Sequence, residues 1–409
     1  MRLKLSVLAA GALGTALAVT GCGSTNNVGG TSTSTSTSTG TSASASAGTV
    51  SSAGFGSANK TLCSSAVNSK PNYPNTIGTV AGGSKTLTGA GSTFVAPMMS
   101  DWTKAYSTAT GVQVTYSSIG SGGGVAQVQA NTVNFGDSDT GMNAADLAKA
   151  KGPVLQIPLL LGAVVPTYNL TGIGAGLKFT GNVLGEIYAG KITKWNDPAL
   201  TALNPGVNLP DEAIAVAHRS DGSGTTGIWT NYLTKESPTW VSTLGGASKS
   251  EGKTVAWPVG IGGKGNEGVS GVVSQTQGSL GYLESDYAIA QNLTYGQVQN
   301  KAGAFIQPCI ASIIPAVDGV TFPPSLNISL TDGTNQNVYP ITGTTYALVY
   351  QDQTSKATAA ALVNFLAWVL SSGQNLNTSL YYAPLGSALQ QLSVAQLKKI
   401  TVDGQPVVK

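Results

Sequence analysis

Nine consecutive residues, His218-Arg219-Ser220-Asp221-Gly222-Ser223-Gly224-Thr225-Thr226, gather side chains able to do chemistry. His218 is the only histidine among 409 residues. Arg219 is the only arginine besides Arg2, and every other cation is a lysine. Arginine differs from lysine in its planar fork, which grips an oxyanion or a carboxylate through two parallel bonds. Ser223 and Thr225 add hydroxyl donors. The glycines beside them leave backbone N–H groups open to an anion at a helix start. The stretch therefore reads as an oxyanion site. The bland alternative is an Arg219–Asp221 ion pair on a surface loop, which is worth little.

Asp139, in Asn134-Phe135-Gly136-Asp137-Ser138-Asp139, extends this reading. A carboxylate repels an anion unless the anion carries a proton that the carboxylate can accept. A protonless oxyanion of the same shape would leave a desolvated charge unpaired, at a cost of several kcal/mol. Arg219 with Asp139 would thus select protonated phosphate over sulfate. Asp139 has a bland alternative as the cap of a helix in "MNAADLAKA", a role for which Asp137 and Ser138 compete. An enzymatic reading fares worse. His218, Asp221 and Ser223 are the residue types of a hydrolase triad, but a triad converges from separate elements. The G-x-S-x-G elbow is absent, and the glycine turn lacks a P-loop lysine. A single histidine leaves no metal cluster. His218 itself, at a strand end, reads as structural.

Three segments share one plan, strand then Gly/Ser/Thr turn then helix. In "KTLTGAGSTFVAPMMSDWTKAY", Leu87 ends an extended piece and Gly89 to Thr93 form the turn. Met98, Met99, Trp102 and Tyr106 then fall on one helical face. In "VQVTYSSIGSGGGVAQVQAN", Val112, Val114 and Tyr116 alternate, and the Ser121-Gly-Gly-Gly turn opens a helix from Val125. In the third, Ile214 and Val216 alternate before Arg219, and Trp229 and Leu233 follow at helical spacing. Such units predict an α/β fold with ligands beyond the carboxyl ends of the strands. Residues 338–352 read as strand, turn and strand, and residues 179–197 as a helix with a polar exit. The run "KATAAALVNFLAWVLSSG" reads as a buried helix, with Leu362, Phe365, Leu366 and Val369 on one side.

The chain opens on Arg2 and Lys4 and an apolar run from Leu5 to Val19, too short to span a bilayer comfortably. This is read as a signal segment, residues 1–21. Cys22 follows small residues, as in the lipobox of bacterial lipoproteins, so it is the expected lipidation point, with a membrane anchor. An incidental cysteine after an ordinary secretory signal is the alternative. Residues 22–83 then carry a Ser/Thr-rich tether with no apolar period. Cys63 and Cys309 remain, either as a disulfide tying the start of the body to a distant loop or as two free thiols. Charged residues are 10% of the chain and the net charge is +3. That balance offers no basic patch for nucleic acid.

Seven stretches resemble, in order, the phosphate-binding subunits of bacterial Pst phosphate ABC importers. They are "LTGAGSTFVAP", "IGSGGGVAQVQANTVNFGDSD", "GEIYAGKITKWND", "HRSDGSGTTGIWTNYL", "WPVGIGGKGNEGV", "GSLGYLESDYA" and "YPITGTTYALV". The resemblance implies a two-lobed periplasmic-binding-protein type II fold, hinged, with the ligand in the interlobe cleft. Lobe 1 would use 84–165 and 336–409, and lobe 2 would use 166–335. The family's phosphate ligands fall on Thr93, Phe94 (through its N–H), Ser121, Asp139, Arg219, Ser223, Gly224 and Thr225. Asp221 matches the aspartate that restrains the arginine. Asp137 departs from the family, which usually has a small neutral residue there. The function implied is an extracytoplasmic lipoprotein, monomeric and cofactor-free, that captures inorganic phosphate and delivers it to a membrane permease. A secreted phosphatase, or a phosphate sensor or adhesion protein on the same scaffold, are the alternatives.

Overall fold

The computed structural model describes Cys63 and residues 71–408. The signal segment, Cys22 and the Ser/Thr-rich run lie outside the described residues. Cys63 and Cys309 are bonded, with Cα atoms 5.8 Å apart. Among the described residues no helix is long and apolar enough to cross a membrane.

A nine-stranded sheet runs through the body. Its strands are β1 (Thr86–Gly91), β2 (Gln113–Ser118), β3 (Phe135–Ser138), β4 (Val154–Tyr168), β5 (Ala215–Arg219), β6 (Ile261–Gly263), β7 (Ser279–Glu284), β8 (Thr294–Tyr295) and β9 (Thr342–Tyr350). The order is β2-β1-β3-β9-β4-β7-β5-β6, with β8 also paired to β4. β4 is the long element, 15 residues reading VLQIPLLLGAVVPTY, buried almost throughout. A strand covered on both faces needs such a continuous apolar run. Pro158 lies opposite Tyr346 at the irregularity between Thr345 and Tyr346, the kind of place where a strand tolerates proline.

β4 changes partner midway. Val154 to Ala163 pair with β9, and Val164 to Tyr168 pair with β7. β1, β2 and β3 run parallel and end toward the middle of β4, because Ser138 faces Tyr346, which faces Pro158. β7 runs against β4 and ends at Glu284, opposite Val164. β5 and β6 are parallel to β7. The carboxyl ends of both parallel sets therefore converge on one level of the sheet, from opposite sides.

The helices that follow the strands are α1 (Ala96–Thr110), α2 (Ser121–Ala130), α3 (Gly181–Tyr188), α4 (Gly224–Glu236), α5 (Gly265–Gln275) and α6 (Lys356–Val369). α1 buries Met98, Met99, Trp102 and Tyr106 and ends at Gly111, whose φ of 73° suits glycine. α6 buries Leu362, Phe365, Leu366 and Val369. Around β5 and β7, Trp229 stacks on Tyr282 at 5.1 Å, with Tyr188 and Trp257 beside them. This aromatic cluster fixes Tyr282, whose hydroxyl reaches the site described below.

Four expectations change. β1 continues through Gly91, so Gly89 to Gly91 are strand rather than turn. A Cβ at Gly89 would meet the Phe135 ring, and one at Gly91 would meet Asp137 O at 2.1 Å, so close strand packing requires these glycines. α2 begins at Ser121 rather than Val125, because its glycines form the first helical turn, with Gly122 and Gly124 pressed against neighbouring backbone. Residues 342–350 form one strand, and Gly343 makes room for Ile228 instead of turning. The helix expected over 179–197 spans only Gly181–Tyr188, ending where Gly190 takes a φ of 70°.

Candidate functional site

Arg219 is the last residue of β5, and the helix α4 begins five residues later. Its backbone N–H donates to the Tyr282 hydroxyl at 3.1 Å, which seats the strand end. The guanidinium is held along one edge. Nε donates to Asp221 Oδ1 at 2.7 Å and Nη2 to Asp221 Oδ2 at 2.6 Å. Gly265 N–H also donates to Asp221 Oδ1. Nη1 points past this pair toward Thr225 Oγ1, 3.5 Å away. The pair is no surface contact, since the Arg219 side chain is 1% exposed. Burial acts to raise the Asp221 carboxyl, but the Arg219 and Gly265 bonds outweigh it and hold it below its usual range. Ser223 caps α4 by accepting Thr226 N–H at 3.1 Å, so its own hydroxyl hydrogen is left to donate.

Asp139 follows β3 and is buried. Its Oδ1 accepts from the Ser92 and Thr345 hydroxyls, the latter at 2.7 Å. Its Oδ2 accepts from Ser121 Oγ at 3.2 Å. Burial pushes the Asp139 carboxyl above its usual range, while these hydroxyls and the Arg219 charge pull it back. It caps no helix, because Asn143 caps residues 144–147. Thr93 Oγ1 accepts from Asn266, and Phe94 N–H donates to Ser92 Oγ at 2.9 Å. Phe94 N–H, expected to face the ligand, is therefore engaged within its own loop here.

The two sets of strand ends meet. Gly122 N–H donates to Gly222 O at 2.8 Å. A Cβ on Gly224 would stand 2.5 Å from Ser121 Oγ and 2.6 Å from Asp139 Oδ2. Lys253, beyond α4, pairs with Asp146 at 3.2 Å across the same divide. Thr93, Ser121 and Asp139 thus face Arg219, Ser223, Gly224 and Thr225 in one buried cluster. The ensemble is chemically lopsided: one guanidinium, several hydroxyls and helix-start amides surround one carboxylate. It suits an anion that brings one proton.

His218 lies outside the cluster. Its ring stacks on Trp257 at 4.9 Å, and Nδ1 contacts Arg219 O at 3.0 Å. It makes no bond to Ser223, because its ring is turned to Trp257 and the Arg219 carbonyl. The triad types are present without the triad. Among the described residues no His/Cys/Asp/Glu group could hold a metal. Asp137 is fully buried, and the Tyr116 hydroxyl is the one polar group beside its carboxyl that favours the ionised form, without a well-formed hydrogen bond to either oxygen. Tyr116, its neighbour, gives its hydroxyl hydrogen to Ser92 O. Burial, then the Asp139 charge, pushes the Asp137 carboxyl well above its usual range. A groove of about 490 Å³ between α4 and residues 327–331 adjoins the buried cluster at Asp139, the one member of the candidate set that lines it.

Sequence reading missed Ser92, Thr345, Asn266 and Tyr282. All four sit in quoted motifs, "LTGAGSTFVAP", "YPITGTTYALV", "WPVGIGGKGNEGV" and "GSLGYLESDYA", but nothing local to them shows which atom they reach.

The profile of the PBP superfamily domain matches residues 76–372. The fold is that of solved proteins of this class. A phosphate-binding protein from Stenotrophomonas maltophilia superposes with a TM-score of 0.59 at 18% identity, over 76% of this chain and 93% of that one. The phosphate-binding protein PstS of Pasteurella multocida is 43% identical over 317 residues, 77% of this chain and 90% of its own. That of Haemophilus influenzae is 41% identical over 320 residues, 77% of this chain and 94% of its own. The chain belongs to the PstS family of phosphate-binding proteins, with their two-lobed α/β fold.

Proposed function

We propose that this chain is an exported solute-binding protein that captures inorganic phosphate and delivers it to the membrane permease of an ABC importer. The observation that carries the reading is the burial of Arg219 and Asp139, at 3% and 4% exposure, in one hydroxyl-lined cluster. Arg219 supplies fixed positive charge and Nη1–H. Thr93, Ser223 and Thr225 supply hydroxyls, and Ser121 does so by releasing Asp139 Oδ2. Phe94 and Gly224 supply backbone N–H groups, Phe94 by releasing Ser92. Asp139 accepts the proton of monohydrogen phosphate. Asp221 keeps the guanidinium in plane. No bond of the ligand is made or broken.

Lobe 1 is assigned to 84–165 with 336–409 and lobe 2 to 166–335, joined by a hinge. The partner change of β4 near Ala163 and Val164 supports this division. Closure brings Gly122 onto Gly222, and the closed face is the surface a permease would recognise. Cys22, after Val19-Thr20-Gly21, is assigned as a lipidated anchor, with residues 22–83 as tether.

Calorimetry of the purified body with phosphate and sulfate tests the core of this reading. Phosphate is expected to bind and sulfate to be rejected by at least about 100-fold, the effect of leaving a buried carboxylate facing an unprotonated oxygen. Equal binding of both anions, or none of phosphate, refutes it. For the anchor, Cys22→Ser should move the protein from the membrane fraction to the soluble one.

A further inference from the structure

Asn266 lies in the first turn of α5, wholly buried, with both Thr93 and Thr225 within reach of its amide. Its orientation is fixed by chemistry. Glu284 N–H donates to one amide atom at 3.1 Å, and a backbone N–H can only donate, so that atom is Oδ1. The other atom is therefore the NH₂ group. It lies 2.8 Å from Thr93 Oγ1 and 3.3 Å from Thr225 Oγ1, one hydrogen for each.

A hydroxyl has two lone pairs and one hydrogen. Thr93 Oγ1 also receives Asn266 N–H at 3.3 Å, so both its lone pairs face donors of Asn266. Thr225 Oγ1 receives Asn266 Nδ2–H and faces Arg219 Nη1. Each hydroxyl is left with only its hydrogen to offer. Asp139 shows the complement. Two hydroxyls occupy its Oδ1, and Oδ2 has one.

We propose that Asn266 is a positioning residue that makes Thr93 and Thr225 obligate donors, leaving Asp139 Oδ2 as the acceptor that meets the ligand. It reaches a hydroxyl from each set of strand ends, so it also ties their polarity together. Without it, either threonine could rotate its hydrogen away and present a lone pair to the anion. The inference rests on the phosphate reading above.

The test is a double-mutant cycle on phosphate affinity, read by calorimetry. Asn266→Ala should weaken phosphate binding about 30-fold, the effect of losing one donor to a charged group. In the Thr93→Val/Thr225→Val background the same substitution should cost less than about threefold, because the hydroxyls it governs are gone. Asn266→Ser runs the same cycle if Asn266→Ala does not fold. Equal losses in both backgrounds, or no loss in either, overturn the assignment while leaving phosphate capture standing. An unsubstituted protein that does not bind phosphate takes both down, and that control is measured first.

Discussion

Gly224→Ala separates folding from closure. Gly224 is the first residue of α4, and its φ lies outside the positive region that favours glycine. Alanine is the better helix former by roughly 0.5–1 kcal/mol, less in a first turn. In isolation the substitution should hold or raise stability. The added Cβ, however, would stand 2.5 Å from Ser121 Oγ and 2.6 Å from the Asp139 carboxylate. Both belong to the opposite set of strand ends, so the collision exists only when the two sides meet. Restoring ordinary contact at 3.4 Å requires them to part by roughly 0.9 Å at this point. A ligand hydrogen bond of about 2.8 Å would then stretch to about 3.7 Å, past bonding range. An anion that bridges both sides loses at least two charge-assisted bonds, about 3 kcal/mol or roughly 150-fold in Kd. Calorimetry with phosphate, beside thermal unfolding without it, reads both effects. Expected are an unchanged or raised Tm and a Kd weakened about 150-fold. Binding within threefold of the parent protein would refute the reasoning, because the collision would then be relieved without opening the site.

Three further substitutions probe single groups. Asp139→Asn should narrow the preference for phosphate over sulfate by about tenfold or more in competition binding, because a neutral amide no longer repels a protonless dianion. Arg219→Lys should weaken phosphate about 100-fold by calorimetry, since a point ammonium cannot hold Asp221 bidentately and still face the ligand. Asp137→Ala should stabilise the protein at neutral pH by about 1–3 kcal/mol, the cost of ionising a buried carboxyl beside Asp139. The pH dependence has a definite sign. The folded Asp137 pKa is raised by burial and by Asp139, so its penalty is absent below the unfolded value near 4 and grows as pH rises above it. Thermal unfolding at several pH values should therefore show the variant's advantage at pH 7.5 shrinking toward pH 4.

The chemistry of the site was legible in residue types. One internal arginine, a carboxylate and three glycine-hydroxyl turns point to a protonated oxyanion, because few other side-chain sets favour one. Strand, turn and helix followed from period and glycine, and α1 and α6 buried the faces their spacing marks. The role of particular glycines was not legible. Gly91, Gly124 and Gly343 read as turn residues but serve close packing, which depends on what lies opposite them. The bland ion pair of Arg219 and Asp221 is real, but its arginine is buried; the partners came from the sequence and the burial from the fold. Asp137 was visible as an extra carboxylate, yet only the structure shows that it is wholly buried beside Asp139.

By itself the sequence determined which groups would be available and which elements would carry them, since helical and strand periods and turn preferences act over a few residues. Tertiary structure decided which groups meet. Thr345 reaches Asp139 from 206 residues away, and Asn266 reaches Thr93 from 173. The partner change of β4 brings the two sets of carboxyl ends face to face. Such meetings depend on sheet order and register, properties of the whole packed chain, and no local stretch encodes them.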